Sequence, residues 1–345
     1  MLLTPENWTL LHGIVVFAGL ALIIAVAGTR ITRVVDQLAD RTGIGEATAG
    51  AVLLGFTTSI GGSVLSVTAA ANGHAELAMS NALGGIAVQT FFLAVADITY
   101  RRANLEHAAA SEANMMQNAL LMTLLALILM APLLPNVTLW GVHPVTPVLF
   151  VSYIIGIHLV QRAHYAPMWT PTDTSETRKD EPDDVNLMPS MSRLWLAFLL
   201  LFIVLGLAGY FLETAATVIA ARTGVTQTMV GVLLTAISTS IPELVTSVAA
   251  VRRGALTLAV GGIIGGNAFD TLFTAGADLA YRDGSIYHAM SEETVFWVSL
   301  TLLMAAVLMM GLIRRERQGP ARIGMESLLI ILLYLGGVAL LLAPL

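Results

Sequence analysis

Residues 57–66 read TTSIGGSVLS and residues 238–247 read STSIPELVTS, each inside a long apolar run. Hydroxyls, paired glycines and a Pro-Glu step are unusual in such runs, because a broken apolar helix frees backbone groups that need partners. The two stretches belong to a longer match. Residues 41–101 align with 222–282 without a gap at a constant offset of 181, with 25 identities in 61 positions. RTGIGEATAG faces RTGVTQTMVG, and NALGGIAVQTFFLAVADITYR faces GIIGGNAFDTLFTAGADLAYR. Apolar segments resemble one another through composition, but ungapped identity in Gly, Arg, Asp and Tyr does not arise that way. The chain carries an internal repeat.

Composition says what kind of unit is repeated. The 345 residues are 56% hydrophobic and 12% charged, where a soluble domain has about 25% charged. Ten apolar stretches, near 8–28, 44–71, 75–99, 116–134, 140–160, 194–220, 226–251, 255–280, 290–312 and 324–344, are long enough to span a membrane, which takes roughly 17–25 helical residues. They lack barrel-like alternation, so the expected fold is an all-α polytopic membrane protein of about ten transmembrane helices. The N-terminus MLLTPENW has no basic region or small-residue cleavage site, so the first stretch is expected to stay.

Residues 166–192 are rich in Pro, Thr, Ser, Asp and Glu and read as a solvated acidic linker. The expected organisation is a first membrane half at 1–165, the linker, and a second half at 193–345. With ten helices, 15 of the 17 Lys and Arg fall on one side and only Arg222 and Arg282 on the other. The positive-inside rule then makes the linker cytoplasmic and puts both termini outside, in a cell membrane. Five helices per half invert the second repeat relative to the first, an arrangement of secondary transporters with midplane sites lined by interrupted helices. Gly61-Gly62, Gly84-Gly85, Pro242 and the glycines at 261, 262, 265 and 266 predict interruptions in the second, third, seventh and eighth stretches.

Glu243 and Asp270 are the carboxylates deepest in the expected spans. Ionisable groups there are costly and mark sites. Thr239, Glu243, Thr246 and Ser247 share one helix face, and Gly262, Gly266, Asp270 and Thr274 stack along another. Such an oxygen-rich cage suits hard cations or a proton. Glu213 is expected at an interface, and Asp97 and Asp278 as interfacial anchors paired with Arg101 and Arg282. The seven histidines do not cluster, no HExxH or GxSxG motif is present, and there is no cysteine. No enzyme, cofactor, thiolate metal site or nucleic-acid partner is expected; the partners are inorganic cations and the lipid bilayer, with homo-oligomerisation left open.

STSIPELVTSVAAVRRGALTLAVGGIIGGNAFDTLF, 238–273, resembles the second signature repeat of the sodium/calcium exchanger (calcium:cation antiporter) superfamily. The resemblance covers both repeats and the linker. It implies that Glu243 and Asp270 bind a transported cation, sodium, calcium or a proton, with Thr239, Ser240, Gly266 and Asn267 around them. In the first repeat Thr58, Ser59 and Asn81 match the family pattern, but Gly61-Gly62 replaces Pro-Glu and Gln89 replaces Asn or Asp. The implied activity is alternating-access cation antiport with altered ion choice. Sodium/proton or other cation/proton exchange, and a non-transporting regulatory protein on the same fold, are the alternatives.

Overall fold

Apolar segments out of water must bond their own backbone, and the chain does so as helices throughout. The computed structural model describes residues 7–42, 55–100, 103–172, 174, 189–253, 256–319 and 323–343. The first half contains α1 (Leu10–Thr42), α2 (Gly55–Thr58), α3 (Ile60–Ala71), α4 (Ala75–Thr99), the short α5 (Leu105–Ala108), α6 (Glu112–Met130) and α7 (Val145–Tyr165). The second contains α8 (Met191–Thr223), α9 (Gln227–Met229), α10 (Ala236–Arg253), α11 (Leu256–Ala280), α12 (Glu292–Arg314) and α13 (Met325–Leu342). Among the described residues, eight helices are long and apolar enough to cross a membrane. This is a polytopic, all-helical membrane protein.

Burial orders these helices around the site. In α4, 78% of the apolar window is buried inside the protein, against 22% in α1 and in α8. α4 therefore lies at the centre, while α1 and α8 turn side chains such as Leu22 and Leu196 outward. Arg30 and Arg33, expected in a loop, lie on α1, because the helix runs on past its apolar part to Thr42.

Of the expected interruptions, the one near Gly61-Gly62 is found, and those at Gly84-Gly85, at Pro242 and at the glycines 261–266 are not. The second stretch breaks at Ser59, between α2 and α3, two residues before the glycine pair. The first part of that stretch, 44–54, lies outside the described residues. In the seventh, a π-helical run at Val230–Thr235 joins α9 to α10, a local widening often found at functional sites. Helix α10 then continues through Pro242. The third and eighth stretches, α4 and α11, are continuous through their glycines. These glycines serve close packing instead. A Cβ on Gly84 would lie 2.9 Å from Val232 Cα, and one on Gly261 2.6 Å from Asn114 Oδ1.

Matching positions of the repeat make matching contacts. Gly28 leaves room for the Pro242 ring, and Gly209, 181 residues on from Gly28, leaves room for the carbonyl of Gly61. Each half thus receives, against a glycine, the other half's helix at corresponding positions of the repeat, Pro242 and Gly61. Asp97 and Asp278 also correspond. Asp97 accepts the N–H groups of Leu105 (2.7 Å) and Gly324 (2.9 Å), and Asp278 those of Ile286 (3.4 Å) and His143 (2.8 Å). Positions 105 and 286, and 143 and 324, again differ by 181. The arginine pairing expected for Asp278 is replaced by these bonds: backbone N–H groups at turns need acceptors, and the aspartate supplies one. Arg101 lies outside the described residues.

Candidate functional site

Helices α3, α4, α10 and α11 enclose one small cavity where the repeat segments meet. The break before α3 places Ser59 and Gly62 on its wall; α4 adds Asn81, Ala82, Gly85 and Gln89. From the second half come Thr239, Ser240 and Glu243 on α10, and Asp270 with Phe273 on α11. The cavity offers about 10 Å³ to the centre of a water-sized sphere, room for one water or one bare cation. Among the described residues, no Lys or Arg lines it.

The wall is held by a few hydrogen bonds. Gln89 donates through Nε2 to Asp270 Oδ2 at 2.7 Å and to Ser240 Oγ at 3.4 Å. Gln89 and Asp270 are repeat mates, 181 residues apart, so the two equivalent positions bond to each other. Asn81 donates through Nδ2 to the Gly62 carbonyl (3.1 Å) and Ser66 Oγ (2.9 Å), while Ser66 donates to the Ala78 carbonyl. Thr239 donates to the Thr235 carbonyl in the π-helical run. These bonds use the amide N–H donors of Gln89 and Asn81 and leave oxygens over. Ser59 Oγ, Asn81 Oδ1, Gln89 Oε1, Asp270 Oδ1 and both carboxylate oxygens of Glu243 are buried without a hydrogen-bond partner.

That imbalance is chemically informative. A buried unsatisfied oxygen costs roughly 1–3 kcal/mol, and more when it carries charge. Five of these six are amide or carboxylate oxygens with no proton of their own, and only the Ser59 hydroxyl beside Glu243 and Asp270 is left to serve them, so the cavity wall is short of positive charge. A hard cation or protons would satisfy them; an apolar ligand would not. Among the described residues, no group of three or more His, Cys, Asp or Glu is arranged to hold a metal. Any cation here would therefore rely on two carboxylates and neutral oxygens.

Of the ten residues expected at the site, Glu243, Asp270, Thr239, Ser240, Ser59, Asn81 and Gln89 line the cavity; Thr58 lies behind its wall with its side chain beside Glu243, and Gly266 and Asn267 do not line it. Thr58 is buried and its hydroxyl meets the Gly55 carbonyl at 3.3 Å. Gly266 packs against Gly55, close enough that any Cβ would touch it. Asn267, one turn before Asp270, points at α4 instead and donates to Thr90 Oγ1 at 3.0 Å. Thr246 donates to the Glu243 carbonyl and Thr274 to that of Thr271, so both hydroxyls serve their own helices. Gly85 and Phe273 were missed as wall residues. Phe273 lies at i+3 from Asp270, which puts it on the same helix face.

Two further carboxylates lie away from the cavity. Glu213 on α8 is 2% exposed and meets His74 Nδ1 at 2.8 Å, in the short turn between α3 and α4. Glu76 Oε2 accepts the hydroxyls of Thr228, Ser291 and Thr294 at 2.8–3.0 Å. Each of the two accepts from several donors.

Comparison with known proteins agrees with this architecture. The structure resembles an H⁺/Ca²⁺ exchanger, CAX, with a TM-score of 0.67 at 14% identity, covering 96% of this chain and 82% of that one. It resembles the sodium-calcium exchanger NCX_Mj with a TM-score of 0.59 at 19% identity, covering 96% and 99%. At such identities the likeness establishes the fold alone. In sequence, the chain is 32% identical over 139 residues to the inner membrane protein YrbG of Escherichia coli, covering 40% of this chain and 42% of that protein. It is 34% identical over 110 residues to the sodium/calcium exchanger MaX1 of Methanosarcina acetivorans, covering 29% and 30%. These matches span less than half the length of either relative. The sodium/calcium exchanger protein family profile matches residues 12–161 and 193–343, on both sides of the linker, and the chain belongs to that family.

Proposed function

We propose that this protein is a secondary-active cation antiporter that works by alternating access, with one cation at a time held between Glu243 and Asp270. The observation that carries this reading is the excess of buried carboxylate and amide oxygens over donors on the residues lining one small cavity. The close approaches of Gly28 to Pro242 and Gly209 to Gly61 support two inverted halves with the cavity between them. In this reading 1–165 and 193–345 are the two membrane halves, and the 166–192 linker faces the cytoplasm of a cell whose plasma membrane holds the protein.

The counter-ion follows from charge. Calcium takes six to eight oxygens and draws affinity from charged ones. Here both carboxylates come from the second half, and Gly62 faces them from the first. A divalent ion would be neutralised from one side only; sodium or a proton needs fewer charged ligands. We therefore assign the exchange to sodium, calcium and protons, with calcium held less tightly than where both halves supply a glutamate. Two carboxylates near one another also favour sharing a proton.

The test is exchange through purified protein in liposomes, with Na⁺, H⁺, Ca²⁺, K⁺ and Mg²⁺ gradients offered in turn. The proposal expects exchange of at least one pair and its loss in Glu243→Gln. Exchange that survives unchanged in the variant removes Glu243 from the mechanism. No exchange with any of these ions would favour a non-transporting protein on the same fold.

A further inference from the structure

The repeat makes the two ends of the protein comparable, and they differ at one atom. At the end away from the linker, Asp278 Oδ2 accepts the hydroxyl of Thr146 at 2.7 Å, and Thr146 Oγ1 also meets the Tyr287 hydroxyl at 2.9 Å. At the linker end the corresponding residues, 181 positions away, are Asp97, Ser327 and Glu106. Ser327 donates to Glu106 Oε1 at 2.6 Å. A carboxyl thus replaces a phenol. The phenol brings its own proton, and burial pushes Tyr287 further from ionising. A carboxylate in the same place must acquire one.

Glu106 shows that need. It is 5% exposed, and its Oε2 is buried with no hydrogen-bond partner. A Cβ built on Gly324 would lie 2.9 Å from Glu106 Oε2 and 3.4 Å from Asp97 Oδ2, so the two carboxyls converge on one point over the start of α13. The Glu106 stem packs against Gly311 of α12, which excludes water from that side. Among the described residues, the other charged groups facing this corner do not neutralise it. Glu326 on α13 adds negative charge and is paired with Arg314 of α12 at 3.3 Å, which also holds Glu316 at 3.1 Å. Arg315 donates to the backbone carbonyls of Thr172 and His107. His107 bonds the Arg315 carbonyl (2.6 Å) and Thr174 Oγ1 (3.1 Å) through its two ring nitrogens.

We infer that Asp97 and Glu106 form a proton-binding site, remote from the Glu243–Asp270 cavity, that holds one proton at the linker end and releases it as that side turns alkaline. Release leaves two negative charges converging on Gly324, beside the point where the linker docks through Thr172 and Thr174. Burial, reinforced by the Asp97 charge, pushes Glu106 up from its usual 4.5 to about 7. The sign follows. Between these two values the folded protein holds a proton that the unfolded chain has lost, so stability is full below about pH 4.5 and falls as pH rises through about 7.

The experiment is thermal unfolding of the full chain in detergent or nanodiscs across pH, which does not depend on what the cavity carries. Wild type should lose about 5 °C between about pH 4.5 and about pH 8, levelling off above that, and Glu106→Gln should lack that loss and melt above wild type at the alkaline end. Ser327→Ala removes a hydroxyl donor shared by the Glu106–Asp97 pair, so its transition should shift to higher pH. This second variant keeps the test decisive if Glu106→Gln does not fold. A Glu106→Gln protein with the wild-type slope, or a Ser327→Ala protein with an unmoved transition, would overturn the inference.

Discussion

The two halves of this protein meet the same cavity with different chemistry. The second half presents Glu243 and Asp270; the first presents Ser59, Gly62, Asn81 and Gln89, none of them charged. Yet the scaffolds behind them correspond, down to the glycines at 28 and 209 and the turn-capping aspartates at 97 and 278. Scaffold and charge have therefore changed separately. Gln89 shows how: its amide donates to Asp270, its own repeat mate, where a second carboxylate would have repelled it. The first half has become the donor and neutral-ligand side of a site whose charge lies on the second.

The largest effect should come from removing charge on the charged side. Glu243→Gln should lower exchange by at least about 100-fold, since a buried charge-bearing contact is worth roughly 3–5 kcal/mol. On the neutral side, Asn81→Ala should cost about tenfold, the worth of one buried hydrogen-bonding group. Parallel flux measurements on the two variants test the asymmetry directly, and equal losses would erase it.

The next prediction restores the missing charge. A Cβ on Gly62 would lie at ordinary contact distances, 3.5 Å from Thr239 Oγ1 and 3.6 Å from Phe273 Cε2, so the position opens onto the cavity. Gly62→Glu should shift competition between Ca²⁺ and Na⁺ toward Ca²⁺ by about tenfold, one charged ligand's share of affinity. An unchanged ion profile would count against Gly62 facing the ion.

The smallest effects should come from the scaffold, where the halves agree. Gly28→Ala and Gly209→Ala each push a methyl into the partner helix, at Pro242 and at Gly61, and overpacking costs about 1–3 kcal/mol. Both should lower the melting temperature by similar amounts. A large loss in one and none in the other would show that the correspondence of the halves is not carried by packing.

Much of this was legible in the sequence, for definite reasons. Span positions follow from apolar length, and the repeat from identities at one offset. Glu243 and Asp270 stood out because charge in an apolar run has few explanations. Glycine was harder to read. Gly61-Gly62 does lie near a break, but Gly84-Gly85 and Gly265-Gly266 sit in continuous helices, because close packing and chain breaking use the same residue. Asn267 looked like a ligand from its spacing and instead faces Thr90, since a turn's offset alone does not fix where a side chain points. The pairing of Glu106 with Asp97 depends on Gly324, more than 200 residues away, and no local pattern could have exposed it.

The central claim is that one cation sits between the charged and neutral halves of the cavity. The most direct measurement is anomalous diffraction from crystals soaked in Sr²⁺ as a stand-in for Ca²⁺. The account predicts a single peak within about 2.3–2.7 Å of a Glu243 carboxylate oxygen and of at least one first-half oxygen from Ser59, Asn81 or Gln89. A peak bound only by second-half residues, or a cavity that stays empty while Sr²⁺ binds elsewhere, would contradict it.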